Sequence, residues 1–152
     1  TLPAVFEKSS SEYPQFSCVN EWLKKKENAK IVYGGSTYKT ELKKASKYLR
    51  VFSEYAKMRK VVLIDDVKVD AEECWVKSQV ESKDFDDPHI IAIIRASKCK
   101  LICSRDIRAH PFFKNSSLYN TGCVPKIYAG PGAVSILDDN QNIQVRLQNV
   151  IS

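Results

Sequence analysis

Acidic side chains follow several short apolar runs of this chain, at positions where a divalent cation and a phosphate group could meet. Glu41 falls within the first turns of a predicted helix, and Asp106 comes three residues after an apolar run. Asp84, Asp86 and Asp87 cluster directly before another predicted helix. Mg²⁺ and Mn²⁺ prefer such oxygen ligands and keep some waters. A metal held in this way can activate water and stabilise the charge that builds on a phosphoryl oxygen.

Position alone leaves a second interpretation open for each of these acids. A carboxylate near the start of a helix interacts favourably with the helix dipole and needs no further role. Asp65 and Asp66 illustrate this, because they also follow an apolar run and are interpreted as turn residues.

The elements that must position the acids are predicted from apolar periodicity. Predicted strands span residues 31–33, 61–64, 101–103 and 124–128, and predicted helices span 36–57, 69–80, 88–97 and 105–113. Short apolar strands that alternate with helices indicate an α/β protein with a mainly parallel sheet. The site of such a sheet lies at the carboxyl ends of its strands. Residues 143–147 alternate apolar and polar, which predicts an edge strand.

Length, charge and cysteine content narrow the class of protein. The 152 residues suit one domain, and a net charge of +6 permits a polyanionic partner without requiring one. No apolar run approaches the ~20 residues that cross a bilayer, so no membrane association is predicted. The five cysteines form no C-x-x-C pair, which disfavours a zinc site and favours a cytoplasmic protein. Cys99 and Cys103 flank an apolar run and are predicted to be buried, reduced thiols.

The segments that carry the acids resemble the PIN-domain family. Asp87 and Ala92 match the family's helix opening D-x-h-h-h-A, and Ser104-Arg105-Asp106 matches its strand-end Thr/Ser-x-Asp. The stretch from Tyr33 to Leu42 resembles the family's middle motif, with Glu41 early in a helix. The resemblance covers residues 1–128 as a PIN-like nuclease domain and leaves 129–152 as a C-terminal extension. It implies a three-layer α/β sandwich with a mainly parallel central sheet flanked by helices.

The resemblance also implies where the family's first strand would lie. That strand carries an Asp and is central in the family's sheet, and residues 1–6 resemble the segment that comes directly after it. The expectation is therefore that the first strand and its Asp precede residue 1, and that the sheet of this chain lacks its middle.

Resemblance to PIN domains implies a metal-dependent endoribonuclease that cuts single-stranded RNA, as many small bacterial members do as toxins of toxin–antitoxin pairs. Glu41, Asp87 and Asp106 would surround one or two Mg²⁺ or Mn²⁺ ions. Asp86 would be a further ligand or a helix cap, and Ser104 would orient a carboxylate or a water. The implied protein partners are a cognate antitoxin and a second copy of the chain. The basic residues expected to contact RNA phosphates are Lys39, Lys43, Arg105 and Arg108.

Other classes of protein fit less well. A PIN-like module without activity, which binds RNA or a protein partner, stays open as the alternative. A receiver domain would place the strand at residues 61–64 at its start, whereas sixty residues precede it here. A dinucleotide-binding enzyme would need G-x-G-x-x-G after its first strand, and Gly34-Gly35 does not supply that motif. His89, inside an apolar helix start, is interpreted as a structural histidine.

Overall fold

The structure is a computed structural model that describes residues 1–83, 85–138 and 142–145. Its helices are α1 Leu2–Phe6, α2 Tyr13–Lys25, α3 Ser36–Lys44, α4 Ser46–Lys57, α5 Asp66–Gln79, α6 Pro88–Ser97, α7 His110–Phe113 and α8 Ser135–Asp138. Its strands are β1 Lys30–Gly34, β2 Val61–Ile64, β3 Leu101–Cys103, β4 Lys126–Tyr128 and β5 Asn142–Val145. No helix within these described ranges is long and apolar enough to cross a membrane.

The strands form one sheet in the order β2-β1-β5-β3-β4, and every pair is parallel. Helices flank this sheet, so the predicted α/β sandwich with a parallel central sheet is confirmed. The inner strands β1, β3 and β5 are buried along most of their length, as expected where helices cover both faces of a parallel sheet, whereas β2 and β4 are partly exposed. The carboxyl ends of all five strands therefore meet along one edge, where Glu41 and Asp106 were predicted to act.

Strand β5 occupies the middle of the sheet, between β1 and β3. Ile143 is in register with Ile31 of β1, and Val145 is in register with Cys103 of β3. The prediction of an edge strand is therefore wrong for the described part of residues 143–147; Arg146 and Leu147 lie outside the described residues. The expectation that the sheet lacks its middle is also wrong, because β5 fills that place.

The alternating pattern led to the wrong prediction of an edge strand because the polar Gln144 of β5 is buried together with its apolar neighbours. Ile143, Gln144 and Val145 are each 0% exposed. The Gln144 amide donates to the carbonyl oxygen of Val145 at 3.0 Å, which partly satisfies its polarity inside the sheet. Alternating apolar and polar residues predict a strand with one solvent-exposed face, but both faces of β5 are buried.

The helix predicted over residues 36–57 is two helices. It breaks at Ala45, whose φ of −102° and ψ of 56° are not helical. The break allows α3 and α4 to place aromatic rings on the same strand. Tyr38 and Phe52 stack in parallel, and each ring also lies within 6 Å of Tyr33 on β1, at centroid distances of 5.8 and 5.2 Å.

Helix α6 has the bounds that the sequence predicts, 88–97, and is buried along most of its length. It packs on α5, where the Arg95 guanidinium lies 3.9 Å from the centroid of the Trp75 ring and pairs with Glu72 at 2.6 Å. Cys99 and Cys103, close behind α6, are buried free thiols as predicted, and burial raises the pKa of Cys99 to about 11.

Candidate functional site at the carboxyl edge of the sheet

The amino-terminal end of α3 is held by carboxylates from α5. The Gly35 N–H donates to Asp66 Oδ1 at 3.0 Å, and the Ser36 N–H donates to Asp70 Oδ1 at 2.8 Å. The Thr37 hydroxyl donates to Glu73 of the same helix. Asp66 and Asp70 satisfy N–H groups that have no partner within α3, and all three acids lie at the positive end of its dipole.

Sequence reasoning missed this contact, because it treated Asp66 as a turn residue. The signal is the spacing of Asp66, Asp70 and Glu73, which places three acids on one face of α5. Asp65 does serve the turn, since it caps α5 by accepting from the Val67 N–H at 2.9 Å. The result is a fixed position for α3 and for Glu41, which lies on it.

Glu41 reaches from α3 to the first turn of α6. Its Oε2 lies 3.1 Å from Nε2 of His89, and the Glu41 side chain keeps 29% of its surface exposed. His89 is 2% exposed. His89, which the sequence indicates is structural, therefore orients the Glu41 carboxylate.

Asp87 lies directly before α6, at its N-cap position, and is 6% exposed. Its side chain accepts no capping hydrogen bond from the helix. Asp86 is exposed, and Asp84 lies outside the described residues. One buried carboxylate thus lies two residues before the histidine that holds Glu41.

Asp106 follows β3 and forms a compact turn with Arg108, so the helix predicted over residues 105–113 is confined to α7. Oδ1 of Asp106 accepts from the Arg108 backbone N–H at 3.0 Å and from the guanidinium Nε at 3.3 Å. The Asp106 N–H donates to the hydroxyl of Ser104, which is fully buried. Nε2 of His110 lies 3.1 Å from the Ser104 carbonyl oxygen, and a carbonyl only accepts, so this nitrogen carries the proton.

The four predicted metal ligands are not gathered into one cluster. Among residues 1–83, 85–138 and 142–145, no three His, Cys, Asp or Glu side chains come together as a metal-binding group. Mg²⁺ is often held by only one or two carboxylates, with waters and substrate phosphates completing its shell. Glu41 and Asp87 are oxygen donors of the type that Mg²⁺ and Mn²⁺ prefer, and a metal site that uses them, with or without Asp86 and Asp106, stays a prediction.

The basic residues predicted to contact RNA differ in how strongly the fold holds them. Lys39 pairs with Asp66 at 2.7 Å, and this hydrogen bond lowers the pKa of that carboxyl. Arg105 donates to Glu12 at 2.5 Å. Lys43 is exposed, and the Arg108 side chain is 87% exposed even though it contacts Asp106. Lys43 and Arg108 therefore have more of their surface open to a ligand than Lys39 and Arg105 have.

A polar cluster beside Arg105 was not predicted. The Tyr48 hydroxyl donates to the Glu7 carboxylate, and Lys47 Nζ lies 2.5 Å from the same carboxylate. The hydrogen bond from Lys47 lowers the pKa of Glu7, and burial raises the pKa of Tyr48 well above its ordinary value. No local pattern signals this cluster, because its residues come from α4 and from the end of α1.

The fold and these contacts define a class, an α/β protein with a five-stranded parallel sheet and acidic side chains along its carboxyl edge. Comparison with known proteins goes no further: no family model, no curated protein and no solved structure matches the chain.

Proposed function

We propose that this chain is a PIN-like, Mg²⁺- or Mn²⁺-dependent endoribonuclease that hydrolyses single-stranded RNA in the cytoplasm, of the type that acts as a toxin in toxin–antitoxin pairs. One observation carries the proposal. Glu41 is fixed by His89 over the start of α6, where Asp87 is buried at the N-cap position. Glu41 therefore contacts the first turn of α6, and Asp87 precedes that turn, on the carboxyl side of a parallel sheet, where the sites of such sheets lie.

Electrostatics supports a cation at this place. If Glu41 and Asp87 turn toward a common site, their carboxylates repel each other, and a divalent cation offsets that repulsion. When bound, Mg²⁺ or Mn²⁺ would act as a Lewis acid on a phosphoryl oxygen and would lower the pKa of water. Glu41 and Asp87 would hold the ion, and His89 would keep Glu41 in position. The exposed side chains of Lys43 and Arg108 would contact the phosphates of the substrate.

The test is cleavage of a mixed-sequence single-stranded RNA by the purified chain, with Mn²⁺ and with EDTA. We expect cutting in Mn²⁺ only, and Asp87→Asn should abolish it because one ligand charge is removed. Asp65→Asn is the matched control, since Asn keeps the cap on α5 and the position holds no predicted ligand. Cutting that persists in EDTA, or in Asp87→Asn, would contradict the assignment.

A measurement without RNA tests the same pair of carboxylates. In metal-free buffer, Asp87→Asn should raise the melting temperature because the repulsion is relieved, and Mn²⁺ should stabilise the unaltered chain more than the variant. A clear drop in melting temperature would show that Asp87 is structural.

A second candidate is a PIN-like module without activity that binds RNA or a protein partner. It is favoured by the engagement of Asp106 with Arg108, which occupies one of the predicted ligands. The two candidates separate in one experiment: the module would shift single-stranded RNA in a native gel with Mn²⁺ present and leave the RNA uncut.

A further inference from the structure

Strand β2 ends the sheet, and its outer edge is apolar. Within the described part of the chain, β2 pairs only with β1. Its four residues are Val61, Val62, Leu63 and Ile64, and Leu63 is 55% exposed. Proteins usually protect an edge with charges, proline or a bulge. The strand residues of β2 include no charge and no proline, so nothing of this kind protects the edge within residues 1–83, 85–138 and 142–145.

The register of β1 and β2 shows which backbone groups face outward. Ile31 is aligned with Val61, and the Ile31 N–H donates to the carbonyl oxygen of Lys60 at 2.8 Å. In a parallel ladder this directs the N–H groups of Val62 and Ile64 toward β1. The N–H and C=O groups of Val61 and Leu63 therefore point away from the sheet.

Charged residues of opposite sign flank this outward-facing pair. Arg59 lies two residues before Val61, and Asp65 lies two residues after Leu63. Both are exposed, and no ion pair joins either of them to another described residue. The edge therefore has a cationic end and an anionic end, separated by an apolar centre.

We propose that β2 pairs in antiparallel fashion with β2 of a second copy of this chain. Because only Val61 and Leu63 direct their N–H and C=O groups outward, three registers are possible. Val61 can face Val61 of the copy, Leu63 can face Leu63 of the copy, or Val61 can face Leu63 of the copy. The register that opposes Val61 with Leu63 of the copy also brings Arg59, in the turn before β2, to the same end of the seam as Asp65 of the copy, which caps α5 just after β2. The two registers next to it lose this match. The sequence from residue 59 to residue 65 is thus self-complementary in charge and in backbone direction.

The seam covers apolar surface that the monomer exposes. About four backbone hydrogen bonds would join the strands, and Leu63 would pack against Val61 of the copy. Met58 and Val67, which are 47% and 78% exposed, lie just beyond the two ends of the strand. Because stable interfaces bury ~800 Å² per partner and this strand is short, we expect a dissociation constant in the micromolar range.

Sedimentation velocity across the micromolar range tests the seam, with Leu63→Pro as the first variant. The Leu63 N–H faces outward, so proline there removes a bond of the seam and leaves the ladder with β1 intact. We expect a monomer–dimer equilibrium for the unaltered chain and a monomer for the variant, with unchanged circular dichroism. A monomeric unaltered chain would overturn the proposal and leave the edge to a strand from a different protein.

A charge variant keeps the test decisive if Leu63→Pro does not fold. Arg59→Asp brings two acids to each end of the seam and should weaken the dimer at least tenfold; Asp tolerates the left-handed φ of 57° at this position. Adding Asp65→Asn removes the repulsion, retains the cap on α5 and should restore part of the affinity. A dimer that neither variant weakens would show that the interface lies elsewhere.

Hydrogen exchange gives a readout that is specific to the register. In the dimer, the amides of Val61 and Leu63 should become protected as concentration rises, whereas those of Val62 and Ile64 should be protected in both states. Protection of Val61 and Leu63 that does not depend on concentration would contradict pairing between copies. The proposal does not depend on nuclease activity, so either can fail without the other.

Discussion

The central position of β5 can be tested by removing the same atoms from two isoleucines in different surroundings. Ile143 lies in β5, is 0% exposed and is aligned with Ile31 of the neighbouring strand. Ile107, in the loop after β3, is 75% exposed. Each is replaced by alanine. If β5 lies between β1 and β3, only the first substitution leaves a cavity.

The expected magnitudes differ by several-fold. Truncation of a buried isoleucine to alanine costs about 2–5 kcal/mol, since transfer free energy is lost and the surroundings close only in part. An exposed substitution stays within about 0.5 kcal/mol. Set against a total stability of about 5–15 kcal/mol, Ile143→Ala would remove a large share of it.

Urea unfolding, followed by tryptophan fluorescence and far-ultraviolet circular dichroism, measures both variants. Trp22 is 7% exposed and Trp75 is 37% exposed, so their fluorescence should change on unfolding. The midpoint should fall strongly for Ile143→Ala and stay in place for Ile107→Ala, with similar slopes. Equal midpoints for the two variants would refute the central position of β5.

Two further predictions concern the carboxyl edge. Because Lys47 holds the pKa of Glu7 below its ordinary value of 4.5, the contact stabilises the fold above that pH, and the contribution is lost as the pH falls through the lowered pKa. Lys47→Met should therefore reduce the loss of unfolding free energy between neutral and acid pH, measured by urea unfolding at a series of pH values. The same loss in the variant and in the unaltered chain would contradict a stabilising contact between Lys47 and Glu7. Gly35→Ala should destabilise by about 2–4 kcal/mol, since φ is +87° and the added Cβ would lie 2.5 Å from Val69 Cγ1; thermal melting without a shift would show that this turn relaxes freely.

Much of the fold was predictable because its signals are local. The apolar runs at residues 61–64 and 101–103 and the helix at 88–97 have the predicted bounds, since short β-branched runs and an early proline act within a few residues. The break at Ala45 could not be predicted. No glycine or proline marks it, and it depends on the contact of two helices with Tyr33.

The sequence predicted which acidic residues lie in the candidate site, but it did not predict the side chains that contact them. The order of Glu41, Asp87 and Asp106 along the chain placed all three near the carboxyl edge. Their partners were not foreseen, because His89 and Arg108 reach them only after the helices pack and the loop turns. The RNA cleavage assay and the Mn²⁺ melting experiment decide whether these acids bind a metal.

By itself, the sequence determined the class of the fold, since an alternation of apolar strands and helices buries its apolar faces in a parallel α/β sandwich. It also determined that the chain has acids and cations available near the strand ends. Only the tertiary structure decided that a strand near the carboxyl terminus lies at the centre of the sheet and that β2 is left at the edge. Those choices depend on which strands compete for the same backbone partners, and pairing over more than a hundred residues leaves no mark in a local pattern.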